Sequence, residues 1–169
     1  AAPKPIVLYN VPGRTASNMT AATTLELAQH HNVCGIKEAS GDLGQIGLIL
    51  SQRPKDFSVW SGDDALAMPT VSMGAEGVIS VMGNAYPAEM SRMIQQAAFG
   101  QIQEAQHTHQ ALTPIMDLLF AEGNPVGVKV ALKHLGMCEA HVRLPLVEGS
   151  KDLTDKLYKA IADLQVTTA

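Results

Sequence analysis

A lysine closes the short apolar run "VCGIK" at residues 33–37, with Glu38 beside it and the turn residues "ASGD" just after. Lysine is seldom set at the end of a buried strand without a partner or a task. An amine whose pKa is lowered by desolvation becomes a nucleophile toward ketones and forms a Schiff base. Lys37 is therefore a candidate nucleophile. The plainer reading of the same residue is an ion pair with Glu38 or an aspartate at the rim of the fold. Tyr9 closes "PIVLY" at 5–9 and could shuttle a proton near such an amine, or simply pack its ring at that rim. Arg14, in "VPGRT", could hold a carboxylate bidentately, or be an ordinary surface arginine in a turn.

Other polar clusters point away from chemistry. Asp63 and Asp64 are adjacent, so they point apart. They read as helix-start carboxylates that complement the dipole. His107 and His109 are two apart on a predicted helix and do not share a face, which argues against a metal pair. His30 and His31 fall at a predicted helix end. Met68, Met73, Met82, Met90 and Met93 read as core filler.

The elements that must position these residues alternate. Strands are predicted at 5–9, 33–37, 57–61 and 77–81, ending near Tyr9, Lys37, Ser61 and Val81. The separations of those ends are 28, 24 and 20 residues. Helical patterns follow each strand: 17–30, with Ser17 or Asn18 as N-cap, then 43–52, 65–74 and 88–99, the last with Gly100 at its C-terminal side. Such βα units imply parallel strands with helical crossovers. The strands read as continuous apolar runs, as when both faces are covered. The last third is helical: 101–122, with Pro114 bending it or ending a first segment, then 124–136, with Asn124 as N-cap and Pro125 at the first helical position, and 152–165. Residues 1–100 are thus expected to form four βα units and 101–169 an α-helical region. An eight-stranded barrel takes about 250 residues, so this chain supplies roughly half of one. The alternative is a small open doubly wound sheet. No GxGxxG or GxxxxGK[ST] follows any strand, so a nucleotide site has no support.

Composition narrows the class. The chain has 169 residues, 46% of them hydrophobic, which suits one domain with a real core rather than disorder. A net charge of −4 argues against a nucleic-acid partner. Cys34 and Cys138 give no disulfide framework and no CxxC pair, consistent with a reducing compartment. No run approaches the roughly 18 apolar residues of a membrane span, and no signal peptide is visible. The chain lacks an initiator methionine and enters a strand almost at once, which suggests that its natural N-terminus lies upstream.

Taken in order, "YNVPGRT" at 9–15, "GIKEASGD" at 35–42, "SGDD" at 61–64, "GAEGVISVMGN" at 74–84 and "NPVGVKVAL" at 124–132 resemble the C-terminal part of the dihydrodipicolinate synthase family. That family belongs to the N-acetylneuraminate lyase superfamily of pyruvate-dependent class I aldolases. The first two motifs together are highly specific; "SGDD" alone would be weak. The resemblance covers essentially the whole chain and implies an α/β fold: the C-terminal half of a (β/α)8 TIM barrel, strands five to eight, followed by a helical C-terminal domain. It implies that Lys37 takes up pyruvate as an imine, that Tyr9 relays protons, that Arg14 helps bind the carboxylate of L-aspartate 4-semialdehyde, and that backbone groups at Gly62 and Ile79 line the pyruvate site. It implies no metal or organic cofactor, a cytoplasmic homo-oligomer, tetrameric for the full-length enzyme, and a place in diaminopimelate and lysine biosynthesis. The family's paired threonines and a second tyrosine belong to the N-terminal half and are not among these residues. Another aldolase of the superfamily, acting on N-acetylneuraminate or a keto-sugar acid, and an inactive half-barrel fragment are the competing readings.

Overall fold

The apolar runs that precede each helical pattern assemble into one parallel sheet. In the computed structural model, which describes residues 3–168, β1 (Ile6–Asn10), β2 (Val33–Glu38), β3 (Ser58–Ser61) and β4 (Gly77–Val78) lie side by side in chain order. All three pairings are parallel, and parallel neighbours cannot be joined by a tight turn. The connections therefore run through α1 (Pro12–Thr15), α2 (Ala21–Leu27), α3 (Leu43–Gln52) and α4 (Asp64–Ser72). Ile6 pairs with Val33 but Val7 with Gly35, so Cys34 is an extra residue on β2. Beyond that irregularity Tyr9 stands opposite Lys37 and Asn10 opposite Glu38, while Lys37 and Glu38 face Trp60 and Ser61.

Side chains alternate across a strand, so this register sorts two faces. Leu8, Asn10, Ile36, Glu38, Val59 and Ser61 share one. Val7, Tyr9, Gly35, Lys37 and Trp60 share the other. The first face is covered: Ile36 and Val59 form a core with Ile49, Phe57, Ala21, Ala28 and Ala75, and Leu8, Met19 and Leu50 pack on it. Fully burying such a side chain contributes roughly 1.5–3 kcal/mol. The second face leaves Val7 44% and Tyr9 48% exposed. The expectation that both faces are covered thus holds for one face only.

The helix starts follow local chemistry, not always at the predicted residue. Thr20, not Ser17 or Asn18, caps α2: its side chain accepts the Thr23 N–H. Asn18 is engaged elsewhere, with Asn10 and Gln45. Asp42 caps α3 and Asp63 caps α4, the latter accepting from Ala65 and Leu66 N–H, so the aspartate pair does serve a helix start. His30 and His31 stack just past the end of α2. β4 is two residues long rather than five, because the chain turns into a short 3₁₀ segment at Met82–Asn84.

Residues up to Ser80 with Gln96–Ile102 form one compact unit, and Val81–Gln95 with the residues from Gln103 on form a second. Helix α5 spans Pro87–Ala98, and α6 (Ile102–Phe120), α7 (Val126–His134) and α8 (Lys151–Thr168) follow. Of the apolar stripe that helical spacing predicts on α6, Ala105, Leu112, Ile115, Met116 and Leu119 are buried while Ile102, at the helix start, is exposed; the stripe on α8, Leu153, Leu157, Ile161 and Leu164, is buried. α6 runs through Pro114 without ending, since a proline removes one backbone donor but tertiary burial of the stripe outweighs that loss. Asn124 provides no side-chain cap, and Pro125 stands at the N-cap of α7 rather than inside it. At α7, Gly127 lets the helices meet: a Cβ there would fall 2.5 Å from the Leu119 carbonyl oxygen of α6. Of the five methionines read as core filler, Met68, Met82, Met90 and Met93 are buried and Met73 is exposed. Met73 instead lays its methyl over Gly47.

A clip closes the N-terminal end of β3. Arg53 donates to both Glu76 oxygens at 2.7 Å and to the Gly74 and Phe57 carbonyls, and Glu76 accepts the Val59 N–H. Burial pushes the Glu76 carboxyl up, but the Arg53 hydrogen bond, the Val59 N–H and the guanidinium charge together hold it below its ordinary value. A depressed folded-state pKa adds stability above the unfolded value, which is lost as pH falls through the folded one. The urea midpoint is therefore expected to exceed that of Glu76→Gln near neutrality and to converge with it below the carboxylate range. A gap independent of pH would refute the clip's electrostatic part.

Candidate active site

Parallel strands carry their chemistry at their C-terminal ends, and β1, β2 and β3 end one residue past Tyr9, Lys37 and Trp60. Because Tyr9 and Lys37 are register partners on the less covered face, their side chains meet. The Lys37 amine lies over the Tyr9 ring, 4.5 Å from its centroid. A contact of this kind is worth about 0.5–1 kcal/mol at an exposed site. It holds a cationic head against a phenol-bearing ring.

Glycine shapes the other side of the lysine. A Cβ at Gly62 would lie 3.0 Å from Cε and 3.1 Å from Cγ of Lys37, and 2.7 Å from Cβ of Ala39. The half-buried stem of Lys37 therefore runs where only a glycine leaves room. The Gly62 N–H donates to the Glu38 carbonyl at 2.7 Å, and the Ile79 N–H to that of Ser61 at 2.9 Å. Both continue the sheet ladder past the strand ends. The structure thus brings Tyr9, Lys37 and Gly62 into contact. It sets Ile79 just beyond β4, its side chain exposed.

Arg14 lies on α1, the single turn that leaves β1, with its side chain exposed. That turn starts on the Val11 carbonyl, which accepts the Arg14 and Thr15 N–H groups. It ends at Ala16, a left-handed residue with φ 55°. Among the described residues no carboxylate pairs with Arg14 or with Lys37.

The ion pair that Lys37 and Glu38 might have formed is absent for a geometric reason: adjacent strand residues point to opposite faces. Glu38 is 1% exposed. Its oxygens accept from Asn10 Nδ2 at 3.1 Å each, from Ser40 N–H at 2.7 Å and from Gln45 Nε2 at 3.0 Å. This network of Asn10, Asn18, Glu38 and Gln45 was not singled out from the sequence. Its signal was available in the strand parity, which sets two polar residues, Asn10 and Glu38, on the face of Leu8 and Ile36. Among the described residues, no group of three or more His, Cys, Asp or Glu could hold a metal ion, and no helix is long and apolar enough to cross a membrane.

Known proteins resemble the chain as a whole. The model of the dihydrodipicolinate synthetase family matches residues 1–164. The 4-hydroxy-tetrahydrodipicolinate synthase of Cytophaga hutchinsonii is 48% identical over 158 residues, which are 94% of this chain and 53% of the relative. Synthase 1 of Halalkalibacterium halodurans is 49% identical over 157 residues, 93% and 53% of the two chains. Among solved structures, the dihydrodipicolinate synthase of Acinetobacter baumannii, chloride-inhibited and complexed with pyruvate, superposes with a TM-score of 0.94 at 34% identity, over 98% of this chain and 57% of that one. The Aquifex aeolicus enzyme gives 0.92 at 37%, over 97% and 56%. The chain spans about half the length of the curated relatives it matches. By sequence along nearly its whole length and by fold, the chain belongs to the dihydrodipicolinate synthetase family, within the N-acetylneuraminate lyase superfamily.

Proposed function

We propose that this chain is the C-terminal half of a (β/α)8 barrel, residues 1–100 supplying strands five to eight and residues 101–169 a helical region. On this reading it belongs to a lyase that condenses pyruvate with L-aspartate 4-semialdehyde to 4-hydroxy-tetrahydrodipicolinate, in diaminopimelate and lysine biosynthesis. The observation that carries the reading is the Lys37 amine lying 4.5 Å from the Tyr9 ring centroid at the C-terminal ends of parallel strands. The sheet face they share, with exposed Val7, suits a barrel interior.

The chemistry follows from an amine in that place. The Lys37 amine adds to C2 of pyruvate, and loss of water leaves an imine. The protonated imine withdraws electrons, so C3 gives up a proton and an enamine forms. The enamine carbon attacks the aldehyde carbon of the second substrate, whose oxygen takes a proton. The amino group of that substrate then adds to C2 and displaces Lys37, closing the ring and freeing the enzyme. Tyr9, over the amine, is the group to carry protons in the first and last steps. Backbone at Gly62 and Ile79 borders the pyruvate site. This route calls for no metal or organic cofactor. The working enzyme is a cytoplasmic homotetramer on this reading.

The test is pyruvate consumption with the semialdehyde against N-acetylmannosamine as acceptor. It is run on the chain and, where the chain alone is inert, on the chain fused to the N-terminal half of a relative. Condensation with the semialdehyde alone is expected; preference for the sugar would move the assignment to a sugar-acid aldolase. Two variants sharpen it. Arg14→Ala is expected to weaken use of the semialdehyde while sparing imine formation, since losing a charge-assisted pair costs about 1.5–3 kcal/mol. An unchanged apparent affinity for the semialdehyde would remove Arg14 from the site. Gly62→Ala forces the Lys37 stem aside, and imine formation should slow by about 10²-fold, the effect of a misplacement near 1 Å. A wild-type trapping rate would show that the stem moves freely.

A further inference from the structure

We propose that Asn10 and Glu38 are positioning residues, a buried polar lock that holds β1 in the register where Tyr9 covers Lys37. The proposal rests on the reading of Lys37 as the imine-forming residue. Asn10 and Glu38 form the rung next to Tyr9 and Lys37, on the opposite, covered face. Both are nearly inaccessible, at 2% and 1% exposure. Among the described residues, the donors to the Glu38 carboxylate are neutral: Asn10 Nδ2, Ser40 N–H and Gln45 Nε2. A buried polar group costs free energy unless its hydrogen bonds are met, and an apolar side chain would fill the same space without that demand. What the polar set adds is direction.

Asn10 Oδ1 accepts the Met19 N–H at 2.9 Å, which turns the amide's donor end toward Glu38 and toward Asn18 Oδ1 at 2.9 Å. Asn18 Nδ2 donates to Gln45 Oε1 at 2.9 Å, and Gln45 Nε2 donates to the Met19 carbonyl at 3.2 Å and to Glu38. The end of β1, the loop to Met19, the end of β2 and the first turn of α3 are thereby tied to one carboxylate. A slip of β1 by one residue would turn Asn10 out and bury the Tyr9 phenol. It would leave the Glu38 oxygens short of donors. The lock thus disfavours the register in which Tyr9 no longer faces Lys37.

The test follows borohydride trapping of pyruvate on Lys37, measuring the trapping rate and the pyruvate concentration that saturates it. The protein is the chain, or its fusion to a relative's N-terminal half where the chain alone takes up no pyruvate. Glu38→Gln places an amide donor against Asn10 Nδ2. We expect the rate to fall by about 10²-fold, with a smaller change in the saturating concentration. The reversed pair Asn10→Asp with Glu38→Gln restores one donor facing one acceptor, with the aspartate still accepting the Met19 N–H, and should recover most of the rate. Gln45→Met removes a single donor and should slow trapping less. A folded Glu38→Gln that traps at the wild-type rate, or a reversed pair no faster than the single variant, overturns the lock. If Glu38→Gln does not fold, Gln45→Met decides: a wild-type rate there also overturns it. Wild-type protein that traps no pyruvate at Lys37 overturns the reading of the site itself, a result distinct from normal wild-type trapping with indifferent variants.

Discussion

Lys37→Ala is expected to leave no borohydride-stable pyruvate adduct and to lower turnover by about 10⁴-fold or more, the scale on which removing a covalent nucleophile acts. The reason is positional. Lys37 lies on the face and at the strand end where a substrate would enter, with its amine over Tyr9 and its stem against Gly62. Three other lysines form surface ion pairs: Lys133 with Glu139, Lys151 with Asp155 and Lys156 with Asp152. Lys37→Arg separates chemistry from packing, because a guanidinium keeps a cation near the ring but forms no imine. That variant should match the wild-type melting temperature and still give no adduct. Peptide mapping of the trapped wild type is expected to place the added mass on Lys37. Mass on Lys129 or Lys133 instead, or no mass at all, would remove the assignment.

Much of this was legible in the sequence, for reasons that individual residues make plain. Ile36 and Val59 sit mid-run in β-rich segments, and a continuous apolar run of strand length belongs in a core. The βα spacing required parallel strands but left their order open; the sheet runs β1-β2-β3-β4. Asp63 could be read as a cap because a carboxylate at a helix start has a specific donor to satisfy. Tyr9 and Lys37 could each be named as candidates, but their meeting depends on register. Register here is set past an irregularity at Cys34 that no local propensity announces. The same holds for Thr20, which caps α2 because Asn18 is drawn to Asn10, 8 residues back, and to Gln45, 27 residues on. Local propensity lets Pro114 bend or end α6; the burial of Leu112, Ile115 and Leu119 carries the helix through it without an end. Glu38 stands beside Lys37 in the sequence, yet in space it belongs to Asn10. Adjacency along a strand is separation across the sheet.

That sheet has two open sides, and the largest remaining prediction concerns them. Among the described residues β1 pairs only with β2, and β4 only with β3. The outer edge of β1 thus presents unpaired N–H and C=O groups beside exposed Ile6 and Val7, the arrangement that draws in another strand. On the half-barrel reading the partner is a chain supplying the other half, and without it Tyr9 lacks the rest of its proton relay. Acid–base contributions of that kind are typically 10²–10⁴-fold. The 169-residue chain expressed alone is therefore expected to self-associate in sedimentation and to turn over at least about 10²-fold more slowly than when mixed with a separately expressed N-terminal half of a relative. Mixing should also replace the self-associated species with a defined complex, since a paired edge no longer recruits copies of itself. A stable monomer with full synthase turnover would mean that the two edges need no partner, and the half-barrel reading would fall with them.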